Sequence, residues 1–386
     1  MALENINPIG EQTPNSSEGE SSEDPVEKKT RKTPGQLADK ARQRKEITRW
    51  KAIVAEFQKS SRWRANWQIF NTVGLYALLW YMMFLSLSVS WWLTVPIAIV
   101  AGGLLVRVFI IFHDCGHGSF FKSRKANDAW GFITGALTFT AYFHWRWEHA
   151  THHATTGNLE RRGMGDVPTL TVDEYLASSR WGKFKYQMTR NPFILFTITP
   201  LVMFVVVQRF AFKSAKRREK ISVWMMNIAI VGLAWGLISI FGFIPWLICQ
   251  LITIGIASSA GFWLFYVQHQ FEDAYWENTD SWEYTDAAMK GSSYYKLPKI
   301  LQWFSGNIGF HHVHHLSSRI PNYNLERCHY SDPMFTAVQP MTLWDSFRCL
   351  NVRLWDEKAK KLISFGQLKR QMQQADSGDR AKSKAA

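Results

Sequence analysis

Three short stretches hold most of the chain's twelve histidines: His113-Asp-Cys-Gly-His117, His149-Ala-Thr-His152-His153 and His311-His312-Val-His314-His315. On a helix, residues three and four apart share a face, with Cβ atoms roughly 5–6 Å apart. H-x-x-x-H therefore offers two imidazoles to one point, and H-x-x-H-H offers three. By spacing alone, His113, His117, His149, His152, His153, His311, His314 and His315 can surround a pair of metal ions. His269, just after the last long apolar run, joins the scheme as a ninth. His144, His312 and His329 fall outside it and read as spectators.

Imidazole suits zinc, copper, iron and nickel, whereas hard-oxygen ions want carboxylates. No box contains the Glu of an H-E-x-x-H zinc protease. A zinc takes four ligands, and a catalytic zinc only three from protein, so eight or nine imidazoles are too many for one zinc and match two irons. Asp114, Glu148, and the pair Glu272 and Asp273 follow or precede ligand histidines and are candidates to accept a ring N–H, which fixes tautomer and orientation. Cys115, Cys249, Cys328 and Cys349 show no C-x-x-C spacing and read as free thiols, with Cys115 a lesser candidate ligand.

The elements that must position these boxes are apolar. The 386 residues are 47% hydrophobic, with 19 Trp and 26 Phe, and the apolar residues gather in long uncharged runs between basic stretches. That is the pattern of a polytopic membrane protein. The formal charge of +14 belongs to loops that meet anionic lipid, and no nucleic-acid partner is expected. The polar start predicts no secretory signal peptide. Residues 1–45 are Ser/Glu-rich and then Lys/Arg-rich, which predicts a disordered tail, and residues 46–64 predict an interfacial anchoring helix.

Apolar length predicts membrane spans near 69–89, 91–112, 223–240 and 246–267, paired into two hairpins with uncharged outer turns. The runs 129–143 and 193–207 are too short to cross and are predicted to dip into the membrane. Basic residues flank 193–207 on both sides, so the positive-inside rule holds both flanks in the cytoplasm. Four crossings then place both termini, His269 and all three boxes on the cytoplasmic side of the membrane. Arg107, six residues before His113, reads as snorkelling to the interface, or as a contact to lipid phosphate. The expected architecture is an all-α integral membrane protein: a membrane domain over 46–355, with a helical cytoplasmic cap holding a di-iron site, and a basic tail over 356–386.

A metal pair beside aromatic-rich spans is placed to act on a molecule that partitions into lipid, for which an acyl chain is the natural choice. Its unactivated C–H bonds yield to iron and O₂ chemistry but not to acid–base groups, and loss of two hydrogens from adjacent methylenes leaves a double bond. The same boxes suit a hydroxylase or ketolase acting on a carotenoid or alkane. A metal transporter would carry its ligands inside the spans, and these spans contain no histidine.

HDCGHGSFFKSRKAND, WRWEHATHH, FYVQHQFEDAYW and GNIGFHHVHHLSSRIPNYNLE resemble the membrane fatty-acyl desaturases, most closely the bacterial acyl-lipid type of Δ5 or Δ12 action. The likeness runs from about residue 65 to 355. It implies a mushroom-shaped helical protein with four spans, a cap holding two Fe²⁺ ions and a kinked acyl tunnel. The family's ligands fall on His113, His117, His149, His152, His153, His311, His314 and His315, with His269 as the additional one. The first box, H-x-x-x-H, and Phe265 four residues before His269 depart from the animal acyl-CoA Δ9 enzymes, which have H-x-x-x-x-H and Asn. With no His-Pro-Gly-Gly haem motif, a separate electron donor such as ferredoxin or flavodoxin is implied, steered by the basic face. A membrane-lipid acyl chain and O₂ are the implied substrates, and Δ5, Δ9 and Δ12 positions stay open.

Overall fold

The computed structural model describes residues 47–385; the tail expected over 1–45 lies outside the described residues. In chain order, the site is positioned by α1 (Arg62–Leu87), α2 (Trp91–His117), α3 (Arg124–Leu137), α4 (Tyr142–Thr155), α5 (Ile194–Arg209), α6 (Arg217–Phe241), α7 (Phe243–His269), α8 (His311–Leu316) and α9 (Asn322–His329). Helices α1, α2, α6 and α7 are each long and apolar enough to cross a membrane. They correspond to the four expected spans and are longer than expected at one or both ends.

That extra length has a structural use. Helices α2 and α7 have 27 residues each, about 40 Å at a rise of about 1.5 Å per residue, against a hydrocarbon core of about 30 Å. Each can cross and still project by about 10 Å. His113 and His117 end α2, and His269 ends α7. The two helices pack so closely that a Cβ on Gly102 would meet the Ile256 Cβ at 2.7 Å. Only glycine permits that approach.

The turns fit the hairpin expectation. Between α1 and α2, Ser90 caps α2 by accepting from the Trp92 N–H, and the hydroxyls of Ser86 and Thr94 hydrogen-bond at 2.7 Å across the join. Between α6 and α7, Gly242 has φ 81°, a conformation glycine adopts without Cβ strain. Helices α3 and α4 form a tight pair: a Cβ on Gly131 would lie 2.1 Å from the Tyr142 ring. Two small sheets stitch the remaining chain. Leu170–Thr171 pairs parallel with Leu354–Asp356, which pairs antiparallel with Lys361–Ile363, and Tyr294–Lys296 pairs parallel with Pro340–Thr342.

Three expectations need correction. Arg107 neither snorkels nor faces lipid. It is buried, its Nε donates to Thr72 Oγ1 at 3.0 Å, a terminal N–H donates to the Trp303 carbonyl, and the guanidinium sits 4.3 Å over the Trp303 ring. The helix over residues 47–57 does more than anchor, because one face of it is packed inward. Trp50 and Val54 are buried in a core shared with Ile308, Phe310, Val313 and Leu316, so this segment clamps the third box from outside. Packing also continues past 355. Leu362 and Ile363 are buried, and the Leu362 N–H donates to the Glu272 carbonyl, which ties the chain's end to the segment after α7.

Candidate metal centre

The three boxes and His269 converge where the projecting ends of α2 and α7 meet α4 and α8. His113, His117, His149, His153 and His314 form one group, in which one ring nitrogen from each lies within 4.8 Å of the others, and His152, His269 and His315 form a second on the same criterion. His311 joins the second group, its Nε2 2.9 Å from that of His269. All nine residues predicted from sequence are therefore brought together, in two adjoining groups. The adjacent residues His152 and His153 separate into different groups, as do His314 and His315. Side chains of successive helical residues diverge, so one backbone step serves both groups.

Three of the ring nitrogens turned away from the groups find acceptors, whereas Nδ1 of His153, His311 and His314 is buried with no partner among the described residues. His152 Nδ1 lies 2.7 Å from Asp166 Oδ1, His113 Nδ1 lies 3.0 Å from Asp114 Oδ1, and His269 Nδ1 lies 3.2 Å from the Gly291 carbonyl. A carboxylate or carbonyl only accepts, so each Nδ1 carries the proton and each Nε2 presents a lone pair inward. Asp114 is itself held, its Oδ2 accepting from the backbone and side-chain N–H groups of Asn322 at 2.6 and 2.8 Å.

Lone pairs pointed at one another ask for a cation. The Nε2 atoms of His152 and His269, neither of which can donate in these tautomers, are 3.3 Å apart. The Nε2 pairs His153–His149 and His314–His153 stand at 3.1 and 3.0 Å. The Nε2 atoms of His117 and His315 are buried and have no protein partner among the described residues. Burial, reinforced by the neighbouring imidazoles, holds His149, His153, His311, His314 and His315 well below the ordinary histidine pKa, so these rings are neutral. A buried, neutral, all-nitrogen donor set fits borderline transition metals. Its size fits two ions and exceeds one zinc.

Sequence reasoning found Asp114 but misassigned the other acceptors. Glu148 turns to His144, with Oε2 3.0 Å from its Nδ1, and not to His149. Glu272 pairs with Lys361 at the surface, and Asp273 is exposed. The acceptors it missed are Asp166 and the Gly291 carbonyl. Gly165, with φ 74°, lets the Asp166 loop approach α4, since a Cβ there would come within 3.0 Å of the His152 Cβ. The run Gly163-Met-Gly165-Asp166 was the only available signal.

The spectators prove structural. His144 Nε2 accepts the Phe212 N–H at 3.2 Å, tying α4 to the loop before α6. His312 Nε2 and His329 Nδ1 meet at 3.1 Å, outside both groups. Cys115 is buried among Phe112, Phe120 and Tyr142 and belongs to neither group. All four cysteines are free and buried.

Aromatic rings wall the centre on the side of the spans. Trp145 stacks on His149 with centroids 4.4 Å apart, and Phe265 lies 5.3 Å from His152 and 5.2 Å from His269. Phe109 bridges outward, touching Trp145 at 5.5 Å and Phe204 of α5 at 5.9 Å, and Phe204 reaches Phe262 of α7 at 6.4 Å.

Residues 90–342 match the family described as fatty acid desaturase. A fatty acid desaturase of Bacillus subtilis is 46% identical over 329 residues, covering 85% of this chain and 93% of that one. The sn-1 oleoyl-lipid 12-desaturase of Anabaena variabilis is 29% identical over 258 residues, covering 62% and 69%. The sn-1 acyl-lipid omega-3 desaturase (ferredoxin) of Synechocystis is 27% identical over 318 residues, covering 79% and 82%. The matched span takes in all nine converging histidines, and with it this chain belongs to the fatty acid desaturase family.

Proposed function

We propose that this chain introduces a double bond into the acyl chain of a membrane lipid, using O₂ and two electrons, at a di-iron centre held by His113, His117, His149, His152, His153, His269, His311, His314 and His315. The observation that carries the reading is the convergence of nine imidazoles, with the Nε2 lone pairs of His152 and His269 opposed, at the ends of two membrane-length helices. When bound, two irons with O₂ supply the hydrogen-atom abstraction that an unactivated methylene requires.

The chain's own residues do the rest. Asp114, Asp166 and the Gly291 carbonyl fix the tautomers of His113, His152 and His269. The rings of Phe109, Trp145, Phe204, Phe262 and Phe265 offer an apolar wall from the spans to the histidines, along which an acyl chain lies, and they exclude water from the reacting carbons.

Flanking charge supports the cytoplasmic orientation, with basic residues on both sides of 193–207 and none of Lys, Arg, Asp or Glu over 221–268. Helix α5 supports a dip: about 24 Å long, it meets Arg180–Thr189 at a bend of 57°. Residues 129–143, which run from the second half of α3 through its turn into α4, are read as the second dip. The basic face suits an acidic electron carrier, and one relative's name carries ferredoxin in parentheses.

The test is the fatty-acid profile, by gas chromatography with double-bond derivatisation, of desaturase-free cells expressing the chain with and without O₂. A new O₂-dependent double bond is expected and reports its position. Hydroxylated or ketonic products would overturn desaturation in favour of another oxidation at the same centre.

A further inference from the structure

Next to the first box, a pocket of about 190 Å³ opens between the end of α2 and the start of α3, lined by Gly118, Lys122, Arg124, Asn127, Asp128 and Arg146. Three cations against one carboxylate leave it positive. Asp128 is already engaged, its Oδ1 3.2 Å from the Tyr142 hydroxyl and 3.5 Å from Arg146. Lys122 and Arg124 are exposed and have no ion pair among the described residues.

The pocket is pre-shaped. Asn127 is buried, its Oδ1 accepts the Phe121 N–H at 2.9 Å, and its Nδ2 donates to the carbonyls of Phe121 and Ser123 at 2.8 and 3.2 Å. This fixes the backbone on both sides of Lys122, so its charge is presented from a rigid loop.

Depth gives the pocket a ligand. Helix α2 begins at the exposed Trp91 and Trp92, residues that favour the membrane–water interface. It ends at His117, after about 40 Å of helix, and a bilayer with its headgroups measures about 40–45 Å. Gly118 therefore lies in the opposite headgroup layer, at the level of the lipid phosphates. The pocket also adjoins the metal centre. Gly118 follows His117 directly, and Arg146 lies one helical turn before His149, a spacing at which Cβ atoms are roughly 5–6 Å apart.

We propose that this pocket binds the phosphodiester of the lipid substrate and so anchors the acyl chain relative to the histidines. Arg124 and Arg146 are suited to phosphate oxygens, which a guanidinium can grip with two parallel N–H donors, and Lys122 adds a point charge. The proposal rests on the acyl-lipid reading. It makes that reading more specific, selecting phospholipid over uncharged glycolipid.

The test is a ligand-dependent melting shift of the purified full chain in a maltoside detergent, which needs no turnover. Dihexanoyl-phosphatidylglycerol, dihexanoylglycerol without phosphate, and inorganic phosphate are titrated separately, against wild type and Lys122→Gln/Arg124→Gln. Both substituted residues are exposed, so the fold is retained, and Arg146→Gln serves as a second, independent variant. Dihexanoyl-phosphatidylglycerol is expected to raise the wild-type midpoint and to need at least about tenfold more ligand in either variant, the scale of one lost charge-assisted contact. Dihexanoylglycerol should behave alike in all three proteins. Equal phosphatidylglycerol titrations would overturn the proposal, as would inorganic phosphate matching it in wild type, which marks a free-phosphate site. Unchanged lipid shifts in variants that need more electron carrier would reassign the patch to protein docking. Because the readout is binding, failure here leaves the O₂-dependent lipid profile intact, and failure of that profile leaves this result intact.

Discussion

Asp166 stands 2.7 Å from Nδ1 of His152, although 14 residues of chain and a glycine-rich loop separate them. The carboxylate fixes the tautomer that sends Nε2 toward His269. Asp166→Ala should weaken metal binding and activity by about 10–100-fold, the usual effect of losing such a partner. Competition of the iron-loaded protein against a graded chelator would measure it, and unchanged affinity would contradict the assignment.

His314 belongs to the group of five and lies 3.0 Å from His153, nitrogen to nitrogen. His314→Ala should abolish activity and lower iron content while the protein still reaches the membrane fraction. Full activity with normal iron would remove His314 from the ligand set.

His144 separates stability from chemistry. Its removal leaves the Phe212 amide and the buried Glu148 carboxylate without their partner, a cost of about 1–3 kcal/mol. His144→Ala should therefore lower the melting midpoint while leaving iron stoichiometry unchanged. An iron loss equal to that of His314→Ala would show that His144 serves the centre directly.

The pair His312 and His329 predicts a pH dependence. Burial lowers His312 to about 3 and His329 to about 4, against about 6.5 in an unfolded chain. Between those limits the unfolded state binds more protons, so the pair's contribution to stability is constant above about pH 7.5 and falls as pH drops toward 4. The melting-midpoint difference between wild type and His329→Gln should vary only below about pH 7.5. A difference that varies above about pH 8 would rule out this origin.

The spans and the nine histidines were legible because their signals are local: apolar length for one, three- and four-residue spacing for the other. Asp114 was legible for the same reason, as a neighbour of His113. Asp166, the Gly291 carbonyl and the partner of Glu148 were not, because each depends on which way a helix faces and which loop crosses it. Arg107 was misread in the same way. A lone cation in an apolar run suggests an escape to water, whereas Trp303, nearly two hundred residues later, brings it a carbonyl and a ring. The burial of Leu362 and Ile363 rests on a strand pairing three residues long, too short to stand out in a polar segment.

The split of His152 from His153, and of His314 from His315, makes each doublet a calliper. Within each doublet the two side chains leave Cα atoms joined by one trans peptide unit, about 3.8 Å apart, so covalent geometry ties a member of one group to a member of the other. An inserted residue inside either doublet would disturb both groups at once, even where every histidine is kept.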